Sequence, residues 1–347
     1  MKATSLALGY RALASLSVFL LWGLYALNGG LKANLLASWN GRLNDDIALK
    51  NDYTGIFIID YPISLLVAFF YFATDGSDEG YQLFVFEGYS TLQSSPLFFV
   101  TLSQILGGAI SLPLYYAYHI LWVEDAEILR VRDQHAAGAL PFSFLLGAVL
   151  PAILGLAPTW NGPESRTPEV HQTYLAFFQV DPLWVTTTQI LLVNLFRWLD
   201  STGGGGAARS PKTAHWWTRA SYLLAAASSA MGHVYTAARL FISTDEGANL
   251  VRMRVPYSLE GPTGGNPDII ARGAFLFLQF DMPTFELASL TWAFVLLSRL
   301  PNRPRMSASM LAITMLIGYI TIGAGATVSL ALYVREGLLP EKGKSTD

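Results

Sequence analysis

The feature that most constrains this chain is a series of long apolar stretches. We identify eight, each of roughly 17 to 27 residues, the length that an α-helix needs to cross about 30 Å of hydrocarbon. The segments between them are rich in glycine, proline, asparagine and aspartate, which are turn residues. The pattern predicts an all-α, polytopic transmembrane helical bundle in a single domain. Its predicted spans are 10–28, 55–74, 96–122, 139–158, 173–197, 216–241, 273–298 and 308–334.

The composition favours a membrane location. Charged residues form 14% of the 347 residues, against about 25% in a typical soluble protein, and apolar residues form 52%. A net charge of −3 gives no reason to expect a nucleic-acid partner. A flexible glycine-rich loop at 201–212 and a polar tail at 335–347 are expected to lie outside the bundle.

The residue types that usually hold metals are sparse. There is no cysteine, which excludes disulfides and thiolate ligands, and the five histidines show no HxxxH or HExxH spacing. NDDIALKND at 44–52 is similar to the DDxxD motif that holds magnesium for prenyl transfer, but Leu49 stands where the third aspartate is needed. We therefore expect no metal and no cofactor, and protonation-initiated chemistry fits better than ionisation of a diphosphate.

Carboxylates within the apolar stretches are the candidate catalytic groups, because an unpaired acid in hydrocarbon is costly. Three aspartates lie just before a proline, Asp60 in IIDYP, Asp181 in QVDP and Asp281 in QFDMP. Proline removes a backbone donor and opens the helix at a point where a polar group can act. For Asp60 and Asp181 the alternative is capping of a helix start, and in the case of Asp181 the residues 169–180 would then form an interfacial segment.

Glu286 is the fourth candidate acid. It follows Asp281 by five residues, about 1.4 turns and a rotation of roughly 140°, and a kink at Pro283 would bring both into one cavity. A carboxyl group in a dry pocket keeps its proton, because burial disfavours the charged form, and so can act as a Brønsted acid. Glu87, in FVFEGYS, is expected instead at the membrane interface.

Aromatic rings accompany these acids, and their faces attract cations. We expect Tyr61, Phe69, Phe285 and Trp292 to surround a substrate that forms a carbocation. His233 is a further candidate for substrate binding, although a lone histidine between helices is often a structural hydrogen-bonding group. Ordinary membrane packing also uses many aromatic residues, so the rings carry weight only together with the acids.

The stretch DYPISLLVAFFYFATDG at 60–76, the eight-span layout and the length resemble the fungal integral-membrane terpene cyclases of meroterpenoid pathways, in particular those of ascochlorin and ascofuranone biosynthesis. The resemblance is clearest over roughly the first 130 residues. It implies a metal-independent cyclase of the endoplasmic reticulum membrane that protonates the terminal epoxide, or an alkene, of a farnesyl chain on an aromatic head. The partners implied are this lipophilic epoxyfarnesyl arene and the lipid bilayer.

Three functions remain open on these residues. In the first, a cyclase, Asp60 or Asp281 delivers the proton. Glu286 or Asp181 then orients it or accepts the final proton. The second is a proton-coupled transporter, which also uses buried acids and broken helices but for which no internal repeat is found. The third is a sterol-isomerase-like enzyme or lipid-binding protein with a rigid four-ring ligand.

Overall fold

The computed structural model describes residues 2–92, 97–122, 131, 133–156, 165–202, 211–245, 248–256, 266–300 and 306–339. These segments are mainly helical, with non-helical connections such as 41–56, and the one strand-like pairing within them is an isolated antiparallel bridge between Arg42 and Ala48. The predicted all-α fold class is therefore confirmed.

Seven α-helices lie within the described residues up to 122. α1 continues through a π-helical turn, Phe19–Gly23, into α2, so that the three form one rod. The helices are α1 (Ala3–Val18), α2 (Leu24–Leu27), α3 (Gly30–Asn40), α4 (Phe57–Thr74), α5 (Glu79–Leu92), α6 (Leu97–Leu106) and α7 (Gly108–Trp122).

Nine further α-helices lie within the described residues after 130. A second π-helical turn, Leu145–Val149, joins the first two of them into one rod. The helices are α8 (Gln134–Phe144), α9 (Leu150–Leu156), α10 (Pro168–Gln179), α11 (Asp181–Thr202), α12 (Pro211–Ile242), α13 (Leu250–Arg254), α14 (Asn266–Ser298), α15 (Ala308–Ile322) and α16 (Ala324–Leu338).

Four of the described helical rods are long and apolar enough to cross a membrane, which is compatible with a membrane protein. They are Ala3–Leu27, Phe57–Thr74, Gln134–Leu156 and Ile269–Ser298, and they correspond to the first, second, fourth and seventh predicted spans. The count of eight spans is not confirmed.

The other predicted spans are more broken than the apolar pattern indicates. The spans 96–122, 173–197 and 308–334 are each divided into two helices, at Gly107, Val180 and Gly323. Gly107 and Gly323 have φ of +96° and +85°, a backbone conformation that glycine adopts without steric cost. The apolar pattern locates the hydrophobic residues, but it does not show where one helix ends and the next begins in a new direction.

The predicted polar segments are only partly described. Of the loop at 201–212, the first two residues complete α11 and the last two begin α12, while 203–210 lie outside the described residues. Of the tail at 335–347, the first four residues belong to α16 and 340–347 lie outside the described residues.

Helix α14 is the central element of the bundle. It packs against α1, α3, α4, α5, α7, α15 and α16. Its buried side chains include Phe277, Met282, Phe285 and Trp292, which join the main hydrophobic core. Since α14 also carries two of the candidate acids, its neighbours determine what those acids contact.

Candidate active site

An apolar cavity of about 370 Å³ lies among α3, α4, α5, α11, α14 and the break between α6 and α7. Its volume falls within the range of about 300–1,000 Å³ that is typical of small-molecule sites. Four residues predicted from the sequence line it: Phe69, Asp181, Asp281 and Phe285. The cavity therefore brings together two acids and two rings from α4, α11 and α14.

Asp281 contacts the break between α6 and α7. Its side chain is 4% exposed, and Oδ1 accepts a hydrogen bond of 2.7 Å from the backbone N–H of Ala109, in the first turn of α7. A Cβ built on Gly107 would lie 2.9 Å from the same oxygen, so the close approach requires glycine there. Asp281, which lies on α14, thus accepts a hydrogen bond at the start of α7, where the backbone N–H groups have no partner within their own helix.

Asp181 begins α11 but does not cap it. Among the described residues its carboxylate accepts one hydrogen bond, 3.1 Å from Gln104 Nε2 to Oδ1, and the first-turn N–H groups of α11 bond to the Val180 carbonyl instead. The alternative of a simple helix cap is therefore not what the geometry shows. The second oxygen, Oδ2, accepts no hydrogen bond within the described part of the chain, so it is available to a ligand.

Aromatic rings form much of the remaining wall. Phe69 stands in edge-to-face contact with Tyr25, Phe70 and Phe277, at centroid distances of 5.7, 4.9 and 5.4 Å. The ring quadrupoles of such a wall attract cations. The aromatic residues that line the cavity are Trp22, Tyr25, Phe69, Phe70, Tyr89, Phe144, Phe277 and Phe285.

Asp60 lies outside the cavity, at the start of α4. Its side chain is buried, and Oδ1 accepts hydrogen bonds from the backbone N–H and the hydroxyl of Thr54, at 2.9 and 2.8 Å. Oδ2 accepts a third, of 2.9 Å, from the backbone N–H of Gly55. These contacts fasten the segment before α4 to its first turn, but Asp60 lies within that turn and the N-cap residue of α4 is Ile56, so Asp60 is not the helix cap of the alternative.

Glu286 and His233 belong to a separate buried cluster, in which Arg254 and Glu87 connect them. Arg254 donates to Glu286 Oε2 at 2.9 Å and to Glu87 Oε1 at 2.7 Å, and His233 Nδ1 lies 2.7 Å from the same Glu87 oxygen. Tyr319 donates its hydroxyl to Glu286. Glu87 is thus buried rather than interfacial, and this cluster cross-links α5, α12, α13, α14 and α15 outside the cavity wall.

Two predicted aromatic residues also lie away from the cavity. Trp292 stacks on Tyr116 at 4.7 Å and donates its indole N–H to His119 Nδ1 at 3.2 Å. Tyr61 stacks on Phe57 at 5.4 Å near the start of α4. The structure therefore places both in packing contacts between helices.

Two polar wall residues were not anticipated from the sequence. Tyr89 donates its hydroxyl to Gln104 Oε1 at 3.0 Å, and Gln104 in turn donates to Asp181. Gln104 is a polar residue inside the apolar run 96–122, and that is the sequence signal that could have identified it. Among the described residues, no group of three or more His, Cys, Asp or Glu side chains is placed to hold a metal ion.

The fold and the cavity define a class of protein: a helical, membrane-compatible bundle with two carboxylates in an aromatic pocket. The chain belongs to the family defined by the CtvD domain, whose model matches residues 8–339. None of the solved structures matches it.

Several curated proteins are similar over most of the chain. Terpene cyclase DEP1 of Fusarium langsethiae is 27% identical and covers 93% of this chain and 96% of its own length. Terpene cyclase alnG of Emericella nidulans is 25% identical, with 94% and 92% covered. Terpene cyclase ascI of Acremonium egyptiacum is 25% identical, with 78% and 76% covered. These relatives confirm the resemblance to fungal terpene cyclases.

Proposed function

We propose that the protein is a membrane-bound terpene cyclase acting on a farnesyl chain that carries an aromatic head and a terminal epoxide or alkene. The observation that carries the proposal is the placement of Asp181 and Asp281, from different helices, on the wall of one aromatic cavity. The relatives named terpene cyclases supply the class of reaction.

The proposed reaction is an isomerisation. A carboxyl group gives its proton to the epoxide oxygen, the bond from that oxygen to the more substituted carbon breaks, and an alkene π pair attacks this carbon to form a new C–C bond. The resulting cation is quenched when a neighbouring C–H gives its proton to a carboxylate, or when a substrate hydroxyl oxygen adds to the cation and its proton passes to a carboxylate. Nothing is gained or lost, so the product has the mass of the substrate.

The two acids have different surroundings, and we assign them different roles. Asp281 contacts the N-terminal N–H groups of α7, a position that stabilises negative charge, so we assign it to face the cation as a carboxylate. Asp181 is held by a single neutral amide, and we assign it to deliver the proton. The aromatic wall would stabilise the cation between them.

Asp60 is not assigned a chemical role in this proposal. Both of its oxygens already accept hydrogen bonds from Thr54 and Gly55, and it does not line the cavity. It therefore provides a matched control, since it is a third acid placed just before a proline in the same chain.

The test uses membranes from a host that expresses the chain. They are given farnesyl arenes with and without a terminal epoxide, in the presence of EDTA, and products are separated by mass and retention time. A new isomer of unchanged mass is expected, and Asp181→Asn and Asp281→Asn should abolish it while Asp60→Asn retains it in the protein that folds. No conversion of either substrate by the wild type, or full conversion by both cavity variants, would refute the proposal.

We also propose that the protein resides in the endoplasmic reticulum membrane, where a prenylated lipid-like substrate would reach the cavity from the bilayer. The four long apolar helices support a membrane location without identifying the membrane. Co-fractionation of the tagged full chain with markers of several organelles tests the assignment, and enrichment with another organelle would contradict it.

A further inference from the structure

A chain of hydrogen bonds connects Asp181 on α11 to Tyr89 on α5 through Gln104. The Tyr89 hydroxyl donates to Gln104 Oε1 at 3.0 Å, and Gln104 Nε2 donates to Asp181 Oδ1 at 3.1 Å. All three side chains line the cavity and come from α5, α6 and α11. Both ends of the Gln104 amide are therefore occupied, and its Nε2 group is directed at Asp181.

The hydrogen bond from that amide favours one Asp181 oxygen over the other as the carrier of the proton. Nε2 donates to Oδ1, and the carbonyl oxygen of a carboxylic acid is a stronger acceptor than its hydroxyl oxygen, so this contact favours the form in which Oδ1 is the carbonyl oxygen. In that form the single O–H of Asp181 is on Oδ2, the oxygen that has no hydrogen-bond partner among the described residues. We infer that Gln104 and Tyr89 are positioning residues that keep the transferable proton of Asp181 on its cavity-facing oxygen. This inference rests on the proposed cyclase function.

The same helix break serves both acids. Gln104 lies in the last turn of α6 and holds Asp181, while Ala109 lies in the first turn of α7 and holds Asp281. Gly107, between them, turns the chain with φ of +96°. The relative placement of the two acids therefore depends on this one break, and Gln104 is the side chain that extends its influence to Asp181.

Variants of Gln104 test the inference through the pH profile of turnover. Gln104→Met removes the N–H donor, and we expect kcat to fall about tenfold at every pH, with KM within about twofold. Gln104→Glu can still donate when its carboxyl is protonated, so its kcat should approach the wild-type value at pH 5.5 and fall steeply by pH 8. The other titratable groups on the cavity wall, Tyr25, Tyr89 and Asp281, are common to both variants.

A second glutamine provides the control. Gln189 is also bonded at both ends of its amide, to Ser143 and to the Ala136 carbonyl, but it does not line the cavity. Gln189→Met should leave kcat and its pH profile unchanged. Tyr89→Phe, which frees the Gln104 amide, should lower kcat about threefold to tenfold.

The inference is overturned if Gln104→Met keeps the wild-type kcat, or if Gln104→Glu and Gln104→Met share one pH profile. Failure of the cyclase proposal is separable. If the wild type converts no farnesyl arene, the thermal unfolding midpoint replaces turnover as the readout. In that case Gln104→Glu should lose thermal stability as pH rises while Gln104→Met does not, and equal behaviour of the two variants would overturn the inference.

Discussion

Loss of Arg254 should destabilise the protein far more than loss of its neighbour Arg252. Arg254 joins two carboxylates whose side chains are almost fully buried, Glu286 at 3% and Glu87 at 7% exposure. Arg252 pairs with Asp78, and those two side chains are 31% and 27% exposed. Each of these arginines of α13 thus forms an ion pair. Water can solvate the carboxylate left behind when Arg252 is lost, but not the two buried carboxylates left behind when Arg254 is lost.

The magnitudes follow from that difference in burial. Removing one partner of a buried ion pair leaves an uncompensated charge and costs about 3–5 kcal/mol, so we expect Arg254→Met to lower the free energy of unfolding by that amount. An exposed pair contributes about 0–1 kcal/mol, and Arg252→Met should lose about 1 kcal/mol. Both values would be measured by SDS titration of the purified protein in mixed micelles.

A second substitution sharpens this test. Adding Glu87→Gln and Glu286→Gln to Arg254→Met removes the charges left unpaired, and we expect part of the lost stability to return. This rescue identifies unpaired charge, rather than lost packing of the arginine side chain, as the cause. Equal losses for Arg254→Met and Arg252→Met, or no recovery in the triple variant, would refute the reasoning.

Three further predictions concern single positions. Gly107→Ala should lower the free energy of unfolding by about 1–2 kcal/mol, because alanine strains a backbone at positive φ, and should also lower kcat. Gly9→Ala, inside α1, should raise it by about 0.5–1 kcal/mol, since the added Cβ has no atom within 4 Å; equal unfolding midpoints for the two variants would contradict this. Asp60→Asn should cost about 1–3 kcal/mol through lost charge-assisted hydrogen bonds but keep the turnover per folded molecule, and a changed product would contradict it. The hydrogen bond from Arg197, with the first N–H groups of α8, holds the pKa of Asp133 below its ordinary 3.8. Its contribution to stability is therefore present above that pH and lost as pH falls below it, so the gap in unfolding midpoint between wild type and Asp133→Asn should close in acid; a constant gap would argue against the pairing.

The sequence predicted the helical class and marked both acids of the cavity, but it did not separate them from Asp60. An aspartate before a proline marked Asp60, Asp181 and Asp281 alike, because the pattern reports only a helix opening and a polar group beside it. The segment before α4 folds back on Asp60, whereas Asp181 and Asp281 receive donors from α6 and α7. Those donors come from other parts of the chain, and no local pattern encodes them.

Helix α5 is a second place where the local pattern gave an incomplete prediction. Its amphipathic appearance predicted an interfacial segment, yet Leu83, Phe84 and Val85 are among the most buried residues of the core. Its polar residues face partners rather than water: Glu87 bonds to Arg254, and Tyr89 bonds to Gln104. In a membrane protein a polar stripe on a helix can mark a buried polar contact as readily as a solvent boundary, so Tyr89 was missed.

The two π-helical turns affect how the cavity wall can change. The turn Phe19–Gly23 contributes Trp22 to the wall, and the turn Leu145–Val149 contributes Ala148. A π turn holds one residue more than the α-helical turn it replaces, so deleting that residue restores a regular helix while the flanking segments keep their faces toward the bundle. Within this architecture the shape of the pocket can therefore change through the gain or loss of one residue inside a helix. Related chains of unequal length can in this way enclose different volumes without rebuilding the bundle.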